Sequence, residues 1–191
     1  MFPGLRGGFF VEAGACRGLS GSATLALERD FAWQGICVEP LDHYCQALVR
    51  NRACQTDDRC LWSVSGEQLR FLSYVEDEAR SGVESVNPNG TWAARNRATE
   101  EVAVVQSVTL ADLLSEHDAP AVVHYLCLDI EGAERTVLDA FDFSSRQILA
   151  ISVEGGDCDD LLLAQGYRQV DNPFAPEPAD LDHYFVQERA R

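Results

Sequence analysis

Apolar runs that are typical of buried strands end in acidic residues four times in this sequence. The acids concerned are Glu12, Glu39, the pair Asp129 and Glu131, and Glu154. Because ligands of open α/β sheets bind at the carboxyl ends of the strands, these acids are expected to share one edge of a sheet. Like charges repel, so a purely structural sheet has no reason to gather them there. Such an edge suits a ligand that carries several hydroxyls and a cationic group.

The loop after the first apolar run, residues 14–18, reads G-A-C-R-G. A dinucleotide-binding loop reads G-x-G-x-x-G, and its second glycine lets a pyrophosphate approach the backbone. Cys16 takes that second position here, and its side chain would crowd a pyrophosphate. S-adenosylmethionine fits better, since it has a ribose, an adenine, an ammonium and a sulfonium but no phosphate. Glu39 lies 25 residues beyond Gly14, at a position where a carboxylate accepts hydrogen bonds from both ribose hydroxyls. Glu12 can form an ion pair with the ammonium group of the ligand.

Strand-like and helix-like segments alternate along the chain. Strands are predicted at 8–13, 35–39, 60–65, 122–130, 148–154 and 182–187, with shorter ones at 102–105 and around Val170. Helices are predicted at 22–31, after Pro40, and at 109–116, 132–141 and 157–165. The strands are apolar throughout, which is typical of a parallel sheet covered by helices on both faces. We therefore expect one α/β domain over 1–191 with a mainly parallel, seven-stranded sheet.

Three segments of the sequence resemble the motifs of a known protein family. E-A-G-A at 12–15, V-E-P at 38–40 and L-D-I-E-G-A-E at 128–134 occur in the order and at the distances found in FkbM-type methyltransferases. The sequence resembles that family from about residue 8 to 186. The resemblance implies the class I, Rossmann-like methyltransferase fold, S-adenosylmethionine as cofactor, and cofactor contacts from Glu12, Gly14, Gly18, Glu39 and Asp129. Ala15 and Pro40, in the same two loops, and Ser63, at the end of the predicted third strand, complete the predicted cofactor site.

In that fold the last strand runs antiparallel to the others. The resemblance therefore implies that His183, at the start of the last predicted strand, lies on the same edge as the acids, together with the loop at 172–180. The predicted catalytic residues are Asp129, Glu131, Glu154 and His183. Residues 66–106, with the turn signal N-P-N-G at 87–90, match the family poorly and are predicted to form an insertion or a lid.

Methyl transfer to a hydroxyl requires positioning of the acceptor and a route for its proton. A carboxylate or a histidine near the acceptor could take that proton. Alternatively, a divalent cation held by Asp129 and Glu154 could lower the pKa of the hydroxyl. A third interpretation is a binding or scaffold domain that keeps the fold without turnover. We expect O-methylation of a small molecule or sugar.

Composition narrows the class of partner. The 191 residues include 15 basic residues, all arginine, and 31 acidic ones, for a net charge of −16. Such a charge disfavours nucleic acid and anionic lipid as partners. No apolar run is long enough for a membrane span. The expected partners are therefore a small-molecule acceptor and, because little chain precedes the first strand to shield the site, a second copy of the chain or a lid.

The cysteines and histidines give no metal-binding pattern. The chain has seven cysteines without a C-x-x-C pair, and its four histidines form no H-x-x-x-H pair, so no zinc site is predicted. Cys54 and Cys60 could form a disulfide in an oxidising compartment. A reduced, cytoplasmic protein is the preferred interpretation.

Overall fold

The computed structural model describes residues 2, 4–74, 81–86, 100–171 and 182–188. The turn predicted at 87–90 and the loop predicted at 172–180 lie outside these residues. The described strands are β1 (Phe9–Ala13), β2 (Gln34–Val38), β3 (Gln55–Asp57), β4 (Cys60–Leu61), β5 (Gln68–Tyr74), β6 (Gly82–Val83), β7 (Glu100–Val108), β8 (Val122–Leu128), β9 (Gln147–Glu154), β10 (Tyr167–Val170) and β11 (Asp182–Gln187). The described helices are α1 (Leu25–Phe31), α2 (Asp42–Asn51), α3 (Leu110–Glu116), α4 (Glu134–Asp139) and α5 (Asp159–Ala164).

Seven strands form the main sheet, in the order β10-β11-β9-β8-β1-β2-β3. Neighbouring strands from β9 through β8, β1 and β2 to β3 pair in parallel. The last strand, β11, is antiparallel to both β9 and β10, so the sheet is mixed and the fold is α/β. The carboxyl ends of β1, β2, β8 and β9 consequently share one edge, and the start of β11 lies at the same edge.

A second sheet has the order β4-β7-β5-β6 and uses most of the described part of 66–106. The prediction of a main-sheet strand at 60–65 is wrong. Only Cys60–Leu61 forms a strand there, and this strand pairs with β7 of the second sheet. The third strand of the main sheet is Gln55–Asp57 instead. Its three polar residues lack the apolar run that marks the other buried strands, because β3 lies at the edge of the sheet.

Side chains alternate across β1, and each face of the strand meets different helices. Phe9, Val11 and Ala13 pack in the large core that also contains the buried residues of α3, α4 and α5. Phe10 points to the other face, where it packs with Leu48 of α2 and with the partly buried Leu27 of α1. Helices therefore cover both faces, as the apolar strands predict. Within the described residues, no helix is long and apolar enough to cross a membrane.

Candidate active site

A cleft opens at the carboxyl ends of β1, β2 and β8. Its lining consists of Ala13, Gly14, Cys16, Val38, Glu39, Pro40, Leu41, Cys60, Phe71, Ser81, Asp129 and Ile130. The strand ends and loops of the main sheet supply most of this lining. Cys60 belongs to β4, Phe71 belongs to β5, and Ser81 directly precedes β6. Of the predicted cofactor contacts, four lie together here: Gly14, Glu39, Pro40 and Asp129.

Gly14 lies where the loop after β1 meets the residue that follows β8. Its φ is +81°, and a Cβ built on it would lie 1.8 Å from the carbonyl oxygen of Asp129. The amides of Gly14 and Ala15 both donate to the carbonyl oxygen of Val38 at 3.1 Å, which ties the loop to the end of β2. Only glycine fits at this position, because the φ is left-handed and a side chain would overlap the backbone.

Glu39 joins the loops that follow β1 and β2. It is only 4% exposed. One carboxylate oxygen accepts the Cys16 amide at 2.9 Å, and the other accepts the Leu41 amide at 2.9 Å. The carboxylate thus lies in the cleft at the position that the sequence predicts, and a carboxylate can accept more than two hydrogen bonds.

Glu12 occupies a buried network beneath the cleft and does not line it. Its carboxylate accepts hydrogen bonds from the Ala23 amide at 2.7 Å and the Ser22 hydroxyl at 2.9 Å. Arg52 lies 3.3 Å from the same carboxylate and 3.0 Å from that of Glu28. Glu12 therefore fixes the segment before α1, and its contact with the cofactor ammonium stays a prediction.

Three other predicted cofactor contacts lie outside the cleft lining. Ala15 is buried in the cluster around Phe10. Gly18 has a φ of +70°, and a Cβ there would lie 2.5 Å from Leu48 Cδ1, so this glycine serves the packing of the loop on α2. Ser63 is predicted near the end of a strand at 60–65, but that strand ends at Leu61. It lies in a bend after β4.

Acidic side chains gather at the ends of β8 and β9. Carboxylate oxygens of Asp129, Glu131 and Glu154 all lie within 4.8 Å of one another. Asp182, the first residue of β11, is the pairing partner of Glu154. The buried Glu134 shapes the turn, since it accepts the amides of Ile130 at 2.7 Å and of Gly132 at 3.0 Å. Three of the four predicted catalytic residues are thus neighbours.

The neighbouring acidic residues change the pKa of Asp129. The Asp129 residue is exposed at the edge of the cleft. Partial desolvation, together with the nearby charges of Glu154 and Asp182, raises its pKa to about 7. Asp129 is therefore close to half ionised at neutral pH. The carboxylate oxygens of Asp129, Glu131 and Glu154 are ligands of the kind that a hard divalent cation prefers.

This pKa predicts a stability effect of Asp129. Between pH 3.8 and about 7 the carboxyl is protonated in the folded chain and ionised in the unfolded chain, so folding stability is lost as the pH rises through this range. Asp129→Asn removes the charge. Allowing for solvent screening, we expect its Tm to exceed that of the wild type by about 2–4 °C at about pH 8 and to match it near about pH 4.

Thermal melts across this pH range, monitored by circular dichroism, test the prediction. Asp30→Asn, at an exposed position on α1, serves as the control and should show no pH-dependent gain. A gain for Asp129→Asn that is equal at both pH values would contradict the proposed cause.

His183 lies on the other face of the sheet from the acids. It pairs with Val153, which packs in the core beneath α3, α4 and α5. Its Nδ1 contacts the carboxylate of Asp159 at 2.8 and 3.0 Å. The structure therefore brings His183 to the first residue of α5 and does not bring it to Asp129.

Sequence reasoning missed Arg52, which follows α2, and two aspartates at the end of β3. Arg52 was missed because its partner Glu12 lies 40 residues away in sequence and no local pattern marks the pair. Asp57 and Asp58 were missed because β3 was placed too late. Although burial alone would raise it, hydrogen bonds from Arg59 and His117 lower the pKa of Asp57 to about 2. Asp58 is exposed directly after β3, next to the edge that holds Glu39.

Comparison with known proteins gives one family. A search of curated proteins found no match. The family model described as the methyltransferase FkbM domain matches residues 12–168. That match spans well over half of the chain. It includes β2, β3, β8 and β9 of the main sheet in full, parts of β1 and β10, and every residue that lines the cleft. The chain therefore belongs to the FkbM methyltransferase family.

Proposed function

We propose that this chain transfers a methyl group from S-adenosylmethionine to a hydroxyl of a small molecule or sugar, and that its fold is the class I, Rossmann-like methyltransferase fold. The observation that carries the proposal is the buried carboxylate of Glu39, which faces the cleft at the end of β2, with Gly14 and Asp129 beside it. The strand order, with β1 in the interior and an antiparallel last strand, supports the fold.

The donor set suits this cofactor. Glu39 would hold the ribose, because a carboxylate accepts hydroxyl donors strongly. Cys16 also lines the cleft, and its side chain would hinder a pyrophosphate, which needs close access to the backbone. Gly14, with no side chain, allows the loop after β1 to lie directly against the backbone of Asp129.

The chemistry at the acidic edge follows from its charge. When bound, S-adenosylmethionine supplies an electrophilic methyl group. Asp129 and Glu154 would orient an acceptor hydroxyl and take its proton on a carboxylate oxygen. Phe71 and Ser81, from the second sheet, would limit the access of water. The second sheet would thus serve as the lid expected from 66–106, and a second copy of the chain is the alternative cover.

Glu39→Ala tests the proposal at its central residue. The variant removes the acceptor of two ribose hydroxyls, and a hydrogen bond to a charged group contributes about 1.5–3 kcal/mol. We expect the affinity for S-adenosylhomocysteine to fall at least about tenfold in titration calorimetry. Asp42→Ala removes the same charge from an exposed position three residues away and is the matched control.

The result is interpretable only for folded protein, so the Tm of both variants is measured first. Glu39 also holds the amides of Cys16 and Leu41, and a modest loss of stability is expected. An unchanged dissociation constant in folded Glu39→Ala protein would show that the ribose binds elsewhere.

A second candidate function is metal-dependent methyl transfer. The observation in its favour is the proximity of oxygens from Asp129, Glu131 and Glu154. A cation there would lower the pKa of an acceptor hydroxyl. Transfer of labelled methyl groups to a panel of hydroxylated acceptors, with and without a chelator and then with Mg²⁺ restored, separates the two mechanisms. Tight cofactor binding with no transfer to any acceptor would favour a binding domain.

A further inference from the structure

Two cysteines lie in contact beneath the loop that follows β1. Cys37 belongs to β2 and is completely buried, whereas Cys54, the residue before β3, is partly exposed. Their sulfur atoms are 3.5 Å apart, with the Cys54 thiol donating to Cys37 Sγ. The sequence suggested Cys60 as a partner of Cys54, but the structure places Cys60 in a different cluster, against the second sheet.

Charged groups surround this thiol pair. The Cys37 thiol donates to the Glu12 carboxylate at 3.6 Å. Arg52, which pairs with Glu12 and Glu28, is close enough to both thiols for their charges to affect its pKa. The thiolate is the form of a cysteine that reacts with oxidants. The hydrogen bond with Cys54 and burial raise the pKa of Cys37. Cys54 is the partly exposed thiol of the pair, so a peroxide reaches Cys54 first.

We propose that Cys37 and Cys54 form an oxidative modification site, in which a peroxide converts the pair to a reversible disulfide. The Cys54 thiolate attacks one peroxide oxygen, the O–O bond breaks, and the products are a sulfenic acid and, for hydrogen peroxide, water after uptake of a proton. Cys37 Sγ then attacks the sulfur of the sulfenic acid. The S–S bond forms as the S–O bond breaks, and the oxygen leaves as a second water with the Cys37 proton.

The geometry favours this pairing over oxidation to sulfinic acid, because the resolving thiol already touches the attacking one. Closing the observed 3.5 Å separation to a bonded distance of about 2.05 Å requires movement of the two side chains and of the backbone before β3, because Cys37 pairs in register with Thr56, two residues beyond Cys54. The disulfide would tie β2 to the start of β3 and close a loop that contains α2 and Glu39. It would also remove the thiol donor of Glu12. The pairing is independent of the proposed methyl transfer.

Tryptic mapping tests the site directly. Trypsin cleaves this lysine-free chain only after arginine, so Cys54 falls alone in the peptide 53–59 and Cys37 falls in the peptide 30–50. The folded chain is treated with hydrogen peroxide, its free thiols are alkylated in denaturant at low pH, and the digest is analysed by mass spectrometry without reduction. We expect a cross-link between 30–50 and 53–59, abolished by dithiothreitol, and a fall in alkylated cysteines by two from seven.

Peptide 30–50 also contains Cys45, so the variant Cys45→Ser is the decisive control. The cross-link should persist in Cys45→Ser and disappear in Cys54→Ser, which changes a partly exposed residue and should fold. A cross-link that disappears in Cys45→Ser would overturn the assignment. So would a link between 53–59 and 60–70, which contains Cys60, or oxidation of Cys54 to sulfinic acid with no cross-link at all.

Discussion

Gly14→Ala is expected to destroy the folded cleft, with a loss of folding stability above about 4 kcal/mol, the exceptional end of the range for single substitutions. The added Cβ would lie 1.8 Å from the Asp129 carbonyl oxygen, a backbone atom. That backbone cannot move away easily, because β1 and β8 are paired and the Asp129 amide donates to Ala13 at 3.1 Å. Urea unfolding measures the loss, and binding of S-adenosylhomocysteine should disappear with it.

Gly66→Ala separates the overlap from backbone strain. Gly66 has a φ of +83°, almost that of Gly14, but nothing lies within 4 Å of its hypothetical Cβ. Its alanine variant therefore carries only the cost of a left-handed alanine, about 1–2 kcal/mol. Equal losses in the two variants would mean that the loops after β1 and β8 do not approach each other as closely as the structure has them.

Arg52→Met is expected to cost about 3–5 kcal/mol of folding stability, because it leaves a buried carboxylate without its counter-charge. The Arg52 side chain has no exposed surface, and Glu12 is only 4% exposed. Methionine keeps the apolar stem but loses the guanidinium, whose central carbon lies 5.6 Å from the centre of the Phe10 ring, so the loss reports on charge, hydrogen bonds and this cation–π contact. Chemical unfolding of the variant measures this loss.

Arg135→Met provides the matched control. Arg135 pairs with Asp139 and Asp160 at the surface, where its side chain is 41% exposed, and a surface ion pair contributes at most about 1 kcal/mol. Adding Glu12→Gln to Arg52→Met should recover part of the lost stability, because no unpaired charge remains buried. If Arg52→Met is as mild as Arg135→Met, the Glu12–Arg52 pair does not organise the loop.

The parts of the site that follow from the sequence are those marked by local pattern. Glu39 could be placed because an apolar run ends in an acid at a fixed distance from the glycine loop, and the structure has it in the cleft. The acids at the ends of β8 and β9 follow from the same pattern. Parallel strands buried on both faces make this signal strong.

The remaining features depend on contacts between distant residues. Glu12 stands in the strand as the pattern predicts, but its interaction with Arg52 is set by the packing of α2 on the sheet. His183 is at the predicted end of β11, yet neighbouring residues of a strand face opposite sides, and Asp182 rather than His183 shares the face of Glu154. The edge strand β3 is too short and polar for any periodicity to reveal it.

Titration calorimetry of the wild-type chain with S-adenosylhomocysteine and with NAD⁺ tests the central claim most directly. The cleft, with Cys16 at the pyrophosphate-binding position and Glu39 at the end of β2, predicts micromolar binding of S-adenosylhomocysteine and poor binding of NAD⁺. Tighter binding of NAD⁺ than of S-adenosylhomocysteine would contradict the claim.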